Sequence, residues 1–304
     1  MVQRKWAAQK PGRKRLVWRG RAAHVWRMNF PQFWAKGVSG GVACWRWSSR
    51  SVAEAQALAT QAAGQLAERI RALDFSSSSA SGGGYYPNRA MREPILQEFR
   101  DGAGEIAAVV TRNAYGCRVL FVDIDLRELK HHRGLISRLL GIPPLIMPPP
   151  DREFEVTLTR IEAWTQEHPE WGWRIYRTRA GLRLLATQGL VAAESAEADR
   201  VFAALGADPL YRKLCQTQKC FRARLTPKPW RCGLDRPPAR WPWQTPKIEQ
   251  RFNQWEAHYQ AESAKWSTCE FIRAVGNSSV HPEVQGMVKL HDEATRAGVK
   301  LRLA

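Results

Sequence analysis

The amino-acid sequence predicts an α+β fold, in which a mostly antiparallel sheet is flanked by helices and followed by a helical C-terminal part. Two pairs of strand-like runs are each joined by a short turn, which is the pattern of a β-hairpin. One further strand-like run follows, and segments of helical periodicity are interspersed among the strands. We expect three regions: a basic arm with tryptophans at 1–30, the α+β core at 31–235 and the helical region at 236–304.

The core begins with a strand predicted at 41–47, where the sequence GVACWRW alternates. A helix is predicted over 51–73, because Ser51 can cap its first turn and Ala and Leu recur at helical spacing. The Ser- and Gly-rich stretch 76–84 predicts a flexible loop. A second helix is predicted over 90–101.

The two hairpins occupy the middle of the core. The first lies within 105–126 and turns at 113–116. Residues 141–150 are rich in proline, which lacks the amide donor that helices and sheets need, so we expect a connector there. A helix is predicted over 153–168, and the second hairpin follows at 171–187.

The last elements alternate between helix and loop. A helix is predicted at 194–205, and the run CFRARLT at 220–226 predicts a strand. Residues 227–246 form a loop rich in proline and tryptophan. Helices are predicted over 247–273 and 282–297, and they give the C-terminal part its helical character.

The chain is strongly basic, with 47 Lys and Arg against 28 Asp and Glu and a formal net charge of +19. Such a charge indicates a polyanionic partner, and nucleic acid is the commonest one. The first 27 residues contain nine Lys and Arg, no acid and three interleaved tryptophans, which suits phosphate binding and stacking on unpaired bases. A disordered solubilising arm is the alternative. The arm residues expected to bind single-stranded DNA or RNA are Arg13, Lys14, Arg15, Trp18 and Arg19.

No association with a membrane is expected. No apolar run approaches the roughly 20 residues that cross a bilayer. The basic N-terminus is not followed by the apolar segment of a secretory signal. We therefore expect a soluble, cytoplasmic protein, and the sequence leaves its oligomeric state open.

Two acids end the second strand of the first hairpin, in the stretch FVDID. Asp123 and Asp125 point to the same face, because side-chain direction in a strand repeats every two residues. Neighbouring carboxylates repel each other, and Mg²⁺ or Mn²⁺, which favour oxygen ligands, offset that repulsion. A strand end that faces solvent is the alternative.

Basic residues follow in the second hairpin and beyond it. Arg side chains bind phosphate through two parallel hydrogen bonds, so they are the expected partners of a nucleotide or a nucleic-acid backbone. A basic surface strand without such a role is the alternative. The candidates are Arg177 and Arg183 around the glycine turn, Arg222 and Arg224 on one face of a strand, and Lys228.

Six cysteines are spread along the chain, which favours free thiols over a disulfide framework. Cys215, Cys220 and Cys232 cluster in sequence, and Cys269 or His281 would complete a set of four zinc ligands. Their spacing misses the usual C-x2-C pattern. Zinc is therefore not expected, and buried small side chains are the better interpretation.

The order of these motifs resembles the catalytic core of the archaeo-eukaryotic primase superfamily, especially its plasmid and phage primase-polymerases. FVDID is similar to the metal-binding D-x-D/E motif of that family, and RAGLR to its second motif, with Arg183 where the family has His. Asp208 is similar to the third acid, and RLTPKPWR to the basic stretch that follows it. The resemblance covers roughly residues 105–232. TRNAYG and FRARLTPKPWR are also similar to segments of uncharacterised bacterial proteins.

The resemblance implies an RRM-like sheet and a metal-dependent, primase-polymerase-like nucleotidyltransferase. In such an enzyme Asp123, Asp125 and Asp208 hold two Mg²⁺ or Mn²⁺ ions, and the basic residues bind nucleotides or template. Arg183 in place of His either contacts phosphate in its stead or marks a loss of polymerase activity.

Two other functions explain parts of the sequence. A non-catalytic protein that binds single-stranded DNA or RNA explains the charge and the 14 tryptophans, but not the spacing of the acids. A metal-dependent nuclease would use the same acids, although the His residues nearby are expected on helix surfaces. Its additional ligands would be His281, Glu283, His291 and Asp292.

Overall fold

The computed structural model describes residues 31–72, 93–126 and 150–304. Across these ranges the chain forms six α-helices and twelve strands, which confirms the α+β class. The helices are α1 (Val52–Ala72), α2 (Pro150–Glu167), α3 (Ala196–Leu205), α4 (Pro209–Gln218), α5 (Pro246–Ser263) and α6 (Pro282–Thr295). The strands are β1 (Phe33–Ser39), β2 (Val42–Ser48), β3 (Ile95–Arg100), β4 (Ile106–Thr111), β5 (Ala114–Cys117), β6 (Val119–Asp125), β7 (Gly172–Thr178), β8 (Gly181–Leu190), β9 (Phe221–Arg224), β10 (Trp266–Ser267), β11 (Cys269–Gly276) and β12 (Arg302–Leu303). None of the described helices is long and apolar enough to cross a membrane.

The first two strands form an antiparallel ribbon that packs on α1. Ser51 caps α1 as predicted, because its hydroxyl accepts a hydrogen bond from the amide of Glu54 over 3.1 Å. Ribbon and helix approach most closely at Gly37, where an added Cβ would lie 2.1 Å from the amide nitrogen of Thr60. A residue without a side chain is therefore needed at this point.

Two four-stranded antiparallel sheets form the centre of the protein. The first sheet has the strand order β3-β4-β5-β9, and the second has the order β11-β7-β8-β6. In the second sheet β6 and β7 both pair with β8, so they run parallel to each other, and α2 lies between them in the chain. This is the split β-α-β arrangement of ferredoxin-like sheets. The remaining pair, β10 with β12, is two residues long and parallel.

One face of the second sheet turns towards the first sheet and α6. On this face Asp123, Arg183 and Tyr176 lie opposite one another on β6, β8 and β7. Arg183 donates a hydrogen bond to the carbonyl of Arg224 in β9, and Tyr176 donates one to Asp292 in α6. The opposite face packs against α2. Because opposed residues in a sheet share a face, the register decides which polar groups meet in the interior.

Two of the predicted helices are wrong in whole or in part. The segment 90–101 contains the strand β3, which pairs with β4 over Ile95–Arg100. The helix predicted over 247–273 ends at Ser263, and the last residues of that segment belong to β11, which pairs with β7. In both segments the hydrogen bonds of a sheet outweigh the local helix propensity. The C-terminal region therefore contributes a strand to the second sheet as well as helices.

The first predicted hairpin is only partly correct. β4 pairs with β5 across a turn at 112–113, but the predicted second strand divides at Arg118, and β6 beyond it joins the other sheet beside β8. The second hairpin, formed by β7 and β8, is confirmed. The arm at 1–30, the loop at 76–84 and nearly all of the connector at 141–150 lie outside the described residues.

Candidate functional site

An ion pair within the second sheet joins Asp123 of the predicted acidic motif to Arg183, and Arg183 also contacts the first sheet. Arg183 donates to both oxygens of Asp123, from Nε over 2.8 Å and from Nη2 over 3.2 Å. Its Nη1 donates to the carbonyl oxygen of Arg224 over 3.0 Å. The Arg183 side chain is 5% exposed, and that of Asp123 is 28% exposed. Burial opposes the charged guanidinium, but the charge and hydrogen bonds of Asp123 outweigh it and raise the pKa of Arg183.

The N-terminus of α4 covers the free edge of β6. Asp208 caps this helix, and its carboxylate accepts a hydrogen bond from the amide of Tyr211 over 2.7 Å. The backbone amide of Asp208 donates to the carbonyl oxygen of Asp123 over 2.9 Å, and the hydroxyl of Tyr211 donates to that of Phe121 over 3.2 Å. These contacts protect the edge strand and bring the third predicted acid beside the first.

Asp125 completes a group of three neighbouring acids. Burial raises the pKa of its carboxyl, and the negative charges of Asp208 and Asp123 raise it further. The positive charges of Lys228 and Arg231 act in the opposite direction. The acids therefore lie close enough to repel one another, and basic side chains lie close enough to compensate.

The three carboxylates do not fit the predicted pair of metal ions as they stand. Both oxygens of Asp123 are bonded to Arg183, and one oxygen of Asp208 is bonded to the amide of Tyr211. A divalent cation on Asp123 would also meet the positive charge of Arg183. Within the described ranges, no three His, Cys, Asp or Glu side chains are grouped so that they could hold a metal ion. In this arrangement the acids therefore do not offer the free carboxylate oxygens that two metal ions require.

A basic and aromatic loop lies next to these acids, and we call residues 226–236 the Trp230 loop. Trp230 is 54% exposed. The ammonium of Lys228 lies 5.8 Å from the centroid of its ring, and the guanidinium of Arg236 lies 5.4 Å from it. Arg224 holds the start of the loop, because its guanidinium donates to the carbonyl oxygens of Thr226 and Pro227 over 2.7 and 3.2 Å. The loop thus presents an exposed indole next to two cations.

Lys228 lies in a locally positive environment. Burial lowers the pKa of its ammonium, and the charges of Arg231 and Arg224 lower it further. Asp125 and Asp123 oppose this shift without reversing it. An incoming anion would relieve the repulsion among these cations, so this surface favours anionic ligands.

The remaining predicted phosphate ligands do not converge on one surface. Arg177 lies on the opposite face of the second sheet from Asp123, with its guanidinium 4.8 Å from the ring centroid of Phe154 in α2. Arg183 is buried and already bonded, so its predicted contact with phosphate does not agree with this structure. Arg222 lies on β9, and its Nε is buried without a hydrogen-bond partner. Arg224 and Lys228 border the Trp230 loop, whereas Arg13, Lys14, Arg15, Trp18 and Arg19 lie outside the described residues.

The clustered cysteines are free thiols in the interior. Cys215, Cys220 and Cys232 are all buried. Burial raises the pKa of the Cys215 thiol to about 12, so it is not a reactive thiolate at neutral pH. His281, which was considered as a possible fourth ligand of a zinc set, caps α6, where its Nδ1 accepts a hydrogen bond from the amide of Glu283 over 3.3 Å.

A buried polar cluster around His291 was not predicted from the sequence. His291 was expected on a helix surface, but it is 0% exposed and packs against Tyr176. Its Nδ1 lies 3.3 Å from Asp292, and its Nε2 lies 3.9 Å from the sulfur of Cys269. Asp292 also accepts hydrogen bonds from Tyr176 and Arg174 over 2.7 and 2.6 Å. The sequence signal for its burial is that His291 lies one helical turn after the apolar residue Met287, and therefore on the same face of the helix.

The order of Cys269, His291 and Asp292 resembles a nucleophile, a base and an orienting acid. Burial lowers the pKa of His291 to about 4 and raises that of Cys269 to about 11, so both are neutral at pH 7. Neither side chain is reached by solvent. The cluster therefore ties α6 to the second sheet and has no access to a substrate.

No protein-family model matches this chain, and no curated protein or solved structure is significantly similar to it.

We predict that Asp123→Asn lowers the free energy of unfolding by about 3 kcal/mol, because it leaves the buried charge of Arg183 uncompensated. Asp125→Asn is the matched control two residues along the same strand. It should change stability by no more than about 0.5 kcal/mol, because Asp125 is exposed and has both acidic and basic neighbours. Urea unfolding at pH 7 measures both. Equal effects of the two substitutions would contradict the structural role of the ion pair.

We also predict that stability falls as the pH is lowered from 7 to 5. The pKa of His291 is about 4 in the folded protein and about 6.5 when exposed, so the unfolded chain takes up the proton first. The stabilisation is complete above pH 6.5, and about 2 kcal/mol of it is lost by pH 5. His291→Gln, which cannot titrate, should be less stable at pH 7 but should lose less between the two pH values. The same pH-dependent loss in both proteins would assign the effect to other groups.

Proposed function

We propose that this protein binds single-stranded nucleic acid and that the Trp230 loop is its binding surface. The observation that carries the proposal is the exposed indole of Trp230, with the cations of Lys228 and Arg236 within 6 Å of the ring centroid. Proteins that bind single strands without sequence preference combine cations for the backbone with aromatic rings on which bases stack. The net charge of +19 supports the same class of partner.

The relative strengths of the contacts favour base stacking at Trp230. An exposed cation–π contact contributes about 0.5–1 kcal/mol, whereas stacking of a base contributes about 1–3 kcal/mol. A base can therefore replace Lys228 or Arg236 on the ring. The displaced cation remains near enough to pair with an adjacent phosphate. The phosphate then compensates the positive charge that the ring had stabilised.

Metal-dependent nucleotidyl transfer, as in the primase-like enzymes that the motifs resemble, is the second candidate. The observation that favours it is the neighbourhood of Asp123, Asp125 and Asp208 beside a basic loop, on a sheet with a split β-α-β unit. The pairing of Asp123 with Arg183 counts against it, because a two-metal site needs that carboxylate as a ligand. Binding without catalysis is therefore the function that this geometry supports best.

The nuclease alternative has no such observation in its favour. His291 and Asp292 belong to the buried cluster, and His281 caps α6. Glu283 accepts a hydrogen bond from the amide of Gly102 over 3.0 Å. Each of these four side chains already has a structural partner, and none of them adds to the acids at Asp123.

We predict that Trp230→Ala weakens binding to a single-stranded oligonucleotide by about 1–3 kcal/mol, the contribution of one stacked base. Trp230→Phe should retain most of the affinity, because it keeps an aromatic face. Fluorescence anisotropy of a labelled oligonucleotide at constant salt measures the effect.

Lys228→Gln and Lys289→Gln provide the matched test of charge. Lys289 is an exposed residue of α6 whose partner is Glu293, so its loss should leave binding unchanged. Loss of one phosphate contact at Lys228 should make the slope of log K against log salt less negative by about 0.7. Affinity that is unaffected by both Trp230→Ala and Lys228→Gln would refute the Trp230 loop as the binding surface.

We predict that Mn²⁺ does not raise the melting temperature of the protein, because Asp123 is already compensated by Arg183. A metal that binds only the folded state must raise that temperature by mass action. Thermal melting of the wild type and of Asp125→Asn, each with Mn²⁺ and with EDTA, decides between the two candidate functions. A rise in the wild type that Asp125→Asn abolishes would replace the binding proposal with the nucleotidyltransferase.

A further inference from the structure

A second contact between an indole and a cation lies in the short sheet of β10 and β12. These two strands pair in a register that places Trp266 beside Arg302. The guanidinium of Arg302 lies 4.8 Å from the centroid of the Trp266 ring. Trp266 is partly exposed, and Arg302 is exposed. The pair therefore repeats the combination of ring and cation that Trp230 forms with Lys228 and Arg236.

Hydrogen bonds join β10 to the segment that leads into the Trp230 loop. Thr268, which directly follows β10, donates from its hydroxyl to the carbonyl oxygen of Leu225 over 3.0 Å. Arg296 donates to the carbonyl oxygen of Trp266 over 3.0 Å. Its positive charge is also close enough to Cys232, within the loop, to oppose the rise in the pKa of that thiol. Adjoining segments of the fold therefore carry the two ring–cation contacts.

The helix α5 supports both segments from below. The hydroxyl of Tyr259 donates a hydrogen bond to the carbonyl oxygen of Pro227 at the start of the loop. At the end of the helix, the carbonyl oxygen of Ser263 accepts a hydrogen bond from Arg296 over 3.0 Å. Because one helix contacts both the loop and the guanidinium that holds β10, the two segments are fixed relative to each other.

The segment 296–304 favours an anionic ligand. It contains three Lys and Arg and no Asp or Glu. Arg296 is bonded to backbone carbonyls, whereas Lys300 and Arg302 are exposed. Glu262, in the last turn of α5, is already paired with a lysine through both of its oxygens. An unpaired strand supplies bases for the ring and phosphates for these cations.

We propose that Trp266 and Arg302 form a second stacking position for the same strand, so that the binding surface extends from the Trp230 loop to β12. A base replaces Arg302 on the indole of Trp266, and the guanidinium then pairs with a neighbouring phosphate. The inference rests on the proposed function for its class of ligand. It adds that a strand long enough to reach both indoles binds more tightly than a strand that reaches only one.

The experiment compares labelled oligodeoxythymidines of about 4 and about 16 nucleotides, the range of site sizes in modules that bind single strands. Fluorescence anisotropy is measured with the full-length chain at constant salt. Trp266→Leu should weaken binding of the long strand about 5- to 150-fold, the effect of one stacked base, and should hardly affect the short strand. Trp266→Phe keeps an aromatic face and should retain most of the affinity. Val299→Ala, which truncates an exposed apolar residue of the same segment, should have no effect.

Arg302→Gln tests the charge at this position. Arg302 is exposed, so the substitution tests the proposal even if Trp266→Leu fails to fold. For the long strand, the slope of log K against log salt should become less negative by about 0.7, the effect of one phosphate contact. Arg200→Gln, at an exposed position of α3, is the matched control and should leave the slope unchanged.

The contrary results separate this inference from the proposed function. If Trp266→Leu and Arg302→Gln bind the long strand like their controls while Trp230→Ala is impaired, the extension is overturned and the Trp230 loop stands. If Trp266→Leu is impaired and Trp230→Ala is not, the loop is overturned and the position at Trp266 stands. If Trp266→Phe is as impaired as Trp266→Leu, the indole serves packing and the inference is overturned.

Discussion

The buried pair of Asp123 and Arg183 is the interaction on which the centre of the molecule depends. Arg183 links β8 to β6 through the carboxylate and to β9 through a backbone carbonyl, so one side chain connects both sheets. The carbonyl oxygen of Asp123 accepts a hydrogen bond from the backbone amide of Asp208, which lies at the N-terminus of α4. A guanidinium that is 5% exposed requires compensation of its charge, and the carboxylate of Asp123 supplies it by accepting two hydrogen bonds from Arg183. The contacts that hold the fold together therefore determine where Asp123 and Asp208 lie, whether or not these acids bind a ligand.

This constraint also shapes the surface outside. The negative charges of Asp125 and Asp123 oppose the lowering of the pKa of Lys228 but do not reverse it. Burial and the charges of Arg231 and Arg224 keep the pKa of this ammonium lowered. Positive charge consequently accumulates beside the exposed Trp230. The interior ion pair and the basic surface beside Trp230 are thus two parts of one charge distribution.

Much of the fold could be predicted from the sequence, because helical periodicity, capping and glycine turns are local signals. The strands β3 and β11 could not, because their pairing with β4 and β7 joins residues that local propensity assigns to helices. The site depends even more on register. Alternation along β7 places Arg177 on the face opposite to Tyr176, and Tyr176 is the partner of Arg183. The pairing of β6 with β8 then determines that Asp123 shares a face with Arg183 and Tyr176, and not with Arg177.

Residue types alone also cannot distinguish a reactive group from a structural one. Cys269, His291 and Asp292 have the contacts of a catalytic set, yet burial keeps the thiol and the imidazole neutral. Asp123 and Asp125 have the spacing of metal ligands, yet the oxygens of Asp123 are bonded to the guanidinium of Arg183. In both places the decisive quantity is the desolvation of a charge and the partner that compensates it. On the surface, by contrast, Trp230 keeps an exposed ring beside the cations of Lys228 and Arg236, and contacts of this kind can be exchanged for those of a ligand.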